Sequence, residues 1–211
     1  SLMDGYQDQS MLVHLAGARG FHDNIEWRLP IASHADFAEM AINTVKAPTK
    51  NRHFIADASS IKPFTVISSE VDLATTDLLD MDVVDSVRTM IESIPLPPPA
   101  IKIPGDVVAE DSPLRCMLVS PAQYHAFSQD ANFRQFQASA LARASKAGNH
   151  PLFLGEVGLW NGVLIMKMPK PIRFYSGDTI MYCAANDTET ETACTVPAAF
   201  GTTHAVDRAL L

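Results

Sequence analysis

Cysteine and clustered positive charge are both scarce in this 211-residue chain, and each scarcity excludes something. Three cysteines, at positions 116, 183 and 194, make an odd set without CxxC spacing. That excludes a disulfide framework and a structural zinc site of the usual ligand pattern, and it suits synthesis in a reducing, intracellular setting. Sixteen Lys and Arg stand against 24 Asp and Glu, a net charge of −8, with no basic cluster. Tight nucleic-acid binding rests on neutralising phosphates, so the chain has no electrostatic footprint for gripping DNA, and near DNA it would enclose it instead. No apolar run approaches the roughly 20 residues that span a bilayer. The first residues also lack the basic-then-apolar layout of a secretory signal.

What is present is an ordinary globular composition, 47% hydrophobic and 19% charged. It is enough for one substantial core, or two small cores sharing a sheet. The organising stretch is 114–127. Leu114, Arg115, Cys116, Met117, Leu118 and Val119 are mostly apolar and strand-compatible, and they run into Ser120-Pro121. Ser120 can cap a helix through its hydroxyl, and Pro121 suits the first helical position because its missing N–H needs no partner there. A buried strand feeding a surface helix is expected. Cys116 lies inside the apolar run, away from the turn where a reactive group would be presented.

Elsewhere, residues 6–16 place Met11, Leu12, Leu15 and Ala16 on one helical face, and Gly17 and Gly20 end the pattern. Because this glycine turn follows a helix, it is expected to be a C-terminal cap and not a phosphate cradle. Residues 21–63 are irregular, punctuated by Pro30, Pro48 and Pro63, with a short helix at 36–42 capped by Ser33 or Asp36. His22, His34 and His53 are scattered without HxH or HExxH spacing, so they are expected to be surface or hydrogen-bonded histidines. Trp27 and Phe37 are expected to anchor the loop to the core, with contacts to a neighbouring molecule as the alternative.

The strongest helix is expected over 76–94, where Pro95 stops it. Leu79, Val83, Val87, Ile91 and Ile94 recur at three- and four-residue spacing, widened by Val84 and Met90. Asp77, Asp80 and Asp82 crowd its start, as the macrodipole favours, with no companion histidine to suggest acid–base or metal chemistry. The proline-rich 95–105 must be extended, as a connector or a sheet edge. A second helix is expected over 132–146, carrying Phe133, Phe136, Ala140, Leu141 and Ala144. Strands follow at 152–155 and 158–166, where Asn161-Gly162 supplies a hairpin turn. Ser176-Gly177-Asp178 makes a turn before a strand at 179–185. The polar 186–195 is expected to be a mobile insertion, and 205–211 a strand cut short, as in a fragment of a longer protein. Strands and helices without βαβ regularity point to an α+β class.

The order of these features resembles the major capsid proteins of tailed phages, which share the Hong Kong 97-type fold. The resemblance rests on Leu15-Ala16-Gly17-Ala18-Arg19-Gly20, the helix from Leu79 to Ile94, the strand and Ser-Pro helix from Met117 to Phe127, and the hairpin Gly158-Leu159-Trp160-Asn161-Gly162-Val163. With Pro48-Thr49-Lys50-Asn51-Arg52 and Pro121-Ala122-Gln123-Tyr124, the wording is most similar to the branch of the coliphage N-four group. The resemblance implies a peripheral lobe, mainly residues 1–113 with the long loop and long helix, and an axial lobe, mainly 114–211, whose last strand returns toward the peripheral lobe. This sequence departs from the family pattern in that the N-terminal arm and the extended loop are expected to be absent.

The implied function is a head subunit of a tailed phage or prophage, made in the bacterial host cytoplasm and resident in the virion. It would assemble with itself as hexamers and pentamers into an icosahedral shell, with scaffold or decoration proteins as further partners. The shell would enclose DNA without sequence-specific binding, and no membrane is involved. The resemblance implies no catalytic, cofactor-binding or metal residues and no cofactor. Two alternatives remain. One is another phage structural protein or a nanocompartment shell. The other is a hydrolase using Cys116 with His125 or His150 and an orienting Asp, since a thiol and an imidazole are the minimum for such chemistry.

Overall fold

The structure, a computed structural model, describes residues 47–65, 68–101, 114–136, 158–168, 172–185 and 190–211. The expected helices at 6–16 and 36–42, the Gly17/Gly20 turn, the strand at 152–155, His22, His34, His150, Trp27 and Phe37 lie outside them. The described elements are β1 (Phe54–Asp57), β2 (Ser60–Pro63), α1 (Met81–Ser93), β3 (Arg115–Val119), α2 (Pro121–Gln129), β4 (Gly158–Trp160), β5 (Val163–Lys167), β6 (Ile172–Phe174), β7 (Thr179–Cys183), β8 (Glu191–Thr195) and β9 (Val206–Arg208). Residues 131–136 are also helical. The mixture of helices with short, largely antiparallel strands agrees with the α+β expectation. Two compact units form, both discontinuous in sequence: Ser1–Asp57, Lys62–Thr76 and Ile172–Arg208 make unit 1, and Ala58–Ile61, Asp77–Pro171 and Ala209–Leu211 make unit 2.

In unit 2 the long helix is shorter at its start than its apolar pattern predicts. Asp80, in extended conformation, accepts from the Val83 backbone N–H at 2.8 Å and so is the cap, leaving Asp77 outside the helix and Asp82 in its first turn. An apolar repeat cannot say which of three nearby aspartates caps, because all three suit a helix start. Met81, Val83, Val84, Val87 and Ile91 are buried, as the three- and four-residue spacing requires. At the other end the Ile94 N–H donates to the Met90 carbonyl, and Pro95 follows.

The sheet of unit 2 has the order β3-β5-β4. Strand β3 runs parallel to β5, with Arg115 opposite Val163 and Val119 opposite Lys167. Parallel neighbours need a crossover, and α2 begins it. Strand β4 returns on β5 through Asn161 (φ 45°) and Gly162 (φ 72°), the paired left-handed residues of a tight hairpin turn. Met117, Val119, Val163 and Ile165 alternate along one face and are buried. On the other face, Leu159 and Met166 remain 38% and 39% exposed. Two short pairings border β3: Ile101 N–H to the Leu114 carbonyl at 2.8 Å, and a reciprocal pair between Leu118 and Leu210. The Ile101 bridge sets the described end of the proline-rich segment beside Leu114.

Ser120 ends β3 and begins α2 with a complete capping box. Its hydroxyl accepts from the Gln123 N–H at 3.1 Å, and its own N–H donates to the Gln123 side chain at 3.0 Å. Phe127 on α2 is fully buried against Phe133, ring centroids 4.3 Å apart. The next helical residues begin under Asp130, whose carboxylate accepts from the backbone of Asn132 and Phe133.

Unit 1 is built from strand pairs. Strands β7 and β8 are antiparallel, with Thr179 opposite Thr195, and β6 and β9 are antiparallel, with Ile172 opposite Arg208. Its core gathers Ile55, Phe64, Val71, Ile180, Tyr182, Cys194, Val196 and Phe200. Each such large apolar side chain contributes about 1.5–3 kcal/mol of burial.

The polar 186–195 is not wholly an insertion, because its second half is β8, which turns Cys194 into the core while its other side chains stay outward. A strand buried at one position shows almost no apolar alternation, so composition suggests a loop. The irregular 21–63 contains the β1–β2 pair, whose turn uses Ala58 (φ 47°) and Ser59 (φ 62°) and not the glycine such a turn favours. The strain is offset by Asp77, which accepts from the Ala58 N–H at 3.4 Å, and Asp80, which accepts from the Ser59 hydroxyl at 2.6 Å. Nothing in the local sequence announces those partners.

Candidate functional site

The nucleophile alternative begins at Cys116. Its thiol is half-buried on β3 and lies 3.6 Å from the Met166 sulfur, and burial pushes the thiol above its ordinary range. A thiol so shifted is a poorer nucleophile at neutral pH. His125 is exposed on α2, where its backbone carbonyl accepts from the Ser128 hydroxyl. No contact joins His125 to Cys116 among the described residues.

The aspartates at the start of α1 are engaged in structure. Asp80 holds the helix cap and the β1–β2 turn at once, and Asp77 holds the same turn. Among the described residues, no group of three or more His, Cys, Asp or Glu is placed to hold a metal ion. Among them, too, no helix is long and apolar enough to cross a membrane.

Two polar clusters that sequence reasoning did not single out are better built. In unit 2, Oδ1 of Asp85 on α1 accepts from the Trp160 indole at 2.7 Å and from the Asn161 amide at 2.9 Å. The hairpin turn is therefore tied to the long helix by one carboxylate oxygen. Arg88, one turn along α1 and paired with Glu92 at 2.7 Å, lies against Gly162, where an added Cβ would come within 3.2 Å of its Nη1. The half-exposed Phe136 ring covers Trp160, centroids 4.9 Å apart. The arrangement fixes one element against another.

In unit 1, Arg173 on β6 forms a bidentate pair with Asp207 on β9, at 2.7 and 2.8 Å. They are direct cross-strand partners, and the carboxylate holds Arg173 further toward its protonated form. The next residue, Arg208, points to the opposite face by strand alternation, where its Nη2 lies 3.1 Å from Nε2 of His53 and its guanidinium lies over Phe174. Burial lowers Arg208 to about 10. His53 was expected to be a surface or hydrogen-bonded histidine, and it is a buried, hydrogen-bonded one.

These contacts join elements of a mixed helix and strand framework. The chain belongs to the phage capsid protein family, which matches residues 1–211. The fold is similar to the solved capsid of Ralstonia phage GP4, with a TM-score of 0.51 at 19% identity. That similarity covers 87% of this chain and 45% of the GP4 chain, so the chain spans less than half of its structural relative. No curated protein matches it.

Proposed function

We propose that this chain is the major head subunit of a tailed phage or prophage, with the Hong Kong 97-type fold, and that it belongs with the coliphage N-four branch. It assembles with itself as hexamers and pentamers into an icosahedral shell around DNA, and it carries out no catalysis. The observation that carries this is the match of all 211 residues to the phage capsid protein family. The mixed fold shared with the GP4 capsid supports it, as does the net charge of −8, which suits enclosing DNA without gripping it. The subunit would have a peripheral lobe, mainly residues 1–113, and an axial lobe, mainly residues 114–211. Shell strength would come from many modest lateral contacts multiplied by closure and symmetry. Synthesis would take place in the host cytoplasm, with scaffold or decoration proteins as further partners.

The experiment is expression of the full-length protein with its phage neighbours, followed by electron microscopy. Hexamers, pentamers or closed shells are expected. A protein that stays monomeric under every condition tried would overturn the proposal.

A further inference from the structure

Unit 1 buries an imidazole where an added proton has no place. His53 is 7% exposed, and its ring lies nearly parallel on Phe64, centroids 4.1 Å apart at 15°. Its Nε2 faces Nη2 of Arg208 at 3.1 Å. A guanidinium nitrogen only donates, so Nε2 is the acceptor and the ring proton resides on Nδ1. Nδ1 is itself buried, with no hydrogen-bond partner among the described residues.

The surroundings come from several elements. Phe64 follows β2, and Tyr182 of β7 packs on it with ring centroids 5.2 Å apart. From β8, Cys194 donates its thiol to the Ile180 carbonyl at 3.3 Å and interacts electrostatically with Arg208. Arg52, next to His53 in the chain, is exposed. Among the described residues, the charge acting on His53 is that of Arg208, and no carboxylate acts on it.

We propose that His53 is an acid-operated release for unit 1: a proton on Nε2 removes an acceptor from Arg208 and sets two cations against each other at that contact, so that acid shifts the unit toward an open state. Burial, then the Arg208 charge, lower the imidazole from 6.5 to about 2 in the closed unit. An opened unit binds the proton at its ordinary value. Stability is therefore whole above about pH 6.5 and lost below it, the closed-to-open ratio falling about tenfold per pH unit until the closed form also protonates near pH 2.

The test is hydrogen exchange on the full chain at about pH 7.5 and about pH 5.5, corrected for the intrinsic chemical rate. Opening of the β7 and β8 backbone is expected to be about tenfold more populated at the lower pH. His53→Gln, which can accept from Arg208 without titrating, is expected to abolish the rise. Equal opening at both pH values, or the same rise in His53→Gln, would overturn the proposal. If His53→Gln does not fold, the ring signals of His53 in the unaltered chain decide by NMR. Signals that stay constant while the chain remains folded support the release, and titration near 6.5 in the folded chain refutes it.

Discussion

The indole N–H of Trp160 donates to Oδ1 of Asp85 at 2.7 Å, across 75 positions of sequence. The same oxygen also takes the Asn161 amide, so one side chain seats a hairpin turn on the long helix. Asp85→Ala would leave a half-buried indole donor unsatisfied, at a cost of about 1–3 kcal/mol. Urea unfolding should show the loss, together with altered Trp160 fluorescence. An unchanged midpoint would mean that the bond contributes nothing net.

Gly162 holds the other half of that turn. With φ at +72° and Arg88 3.2 Å from the position of an added Cβ, Gly162→Ala meets both backbone strain and crowding. A destabilisation of about 1–3 kcal/mol is expected, seen as a lower thermal midpoint. Gly177 also has positive φ but has nothing within 4 Å, so Gly177→Ala tests backbone strain alone and should cost less.

Ser120 is fully buried and donates and accepts within one capping box. Ser120→Ala removes the hydroxyl that satisfies the Gln123 N–H and should cost about 1–2 kcal/mol. Ser120→Asp or Ser120→Thr should recover part of it in the same unfolding measurement. Equal losses for all three would place the effect in packing and not in the cap.

Phe127 is fully buried between Phe133 and Gly158, whose missing side chain makes room for the ring: a Cβ there would lie 3.2 Å from its Cε1. Phe127→Ala should cost about 3–5 kcal/mol through loss of burial and the cavity left behind. Calorimetry would register it, and a small loss would indicate collapse of the site around the gap.

Cys116 and Cys194 should rank by surroundings. Burial raises Cys194 to about 11, so it forms little thiolate at neutral pH and should resist alkylation until the chain unfolds. Cys116, half-buried and also raised, should react more slowly than free cysteine. A faster reaction at Cys116 would revive the nucleophile alternative.

Local chemistry was readable without coordinates. The Ser120-Pro121 helix start and the Asn161-Gly162 turn each depend on residues a few positions apart and stand where their spacing predicts. So does the α1 stripe from Val83 to Ile91, while Leu79 and Ile94 fall outside the helix. The strand of 114–119 was readable too, because a run of apolar residues beside a helix start has few other uses. The Ala58-Ser59 turn and strand β8 were hidden, since the first depends on Asp77 and Asp80 and the second on pairing with β7. The candidate site was hidden for the same reason. Nothing near Asp85 names Trp160, and nothing near His53 names Arg208, 155 positions away.

The sequence by itself therefore determined where elements begin and turn, because capping, glycine freedom and apolar periodicity act within a few residues. Its motif order also carried the likeness to phage capsid proteins. Only the tertiary structure decided that Asp80 is the cap among three aspartates and that His53 is a buried neutral imidazole. Those outcomes depend on which distant groups the fold brings within 3 or 4 Å, where burial and a neighbouring charge set a side chain's protonation and hydrogen bonds.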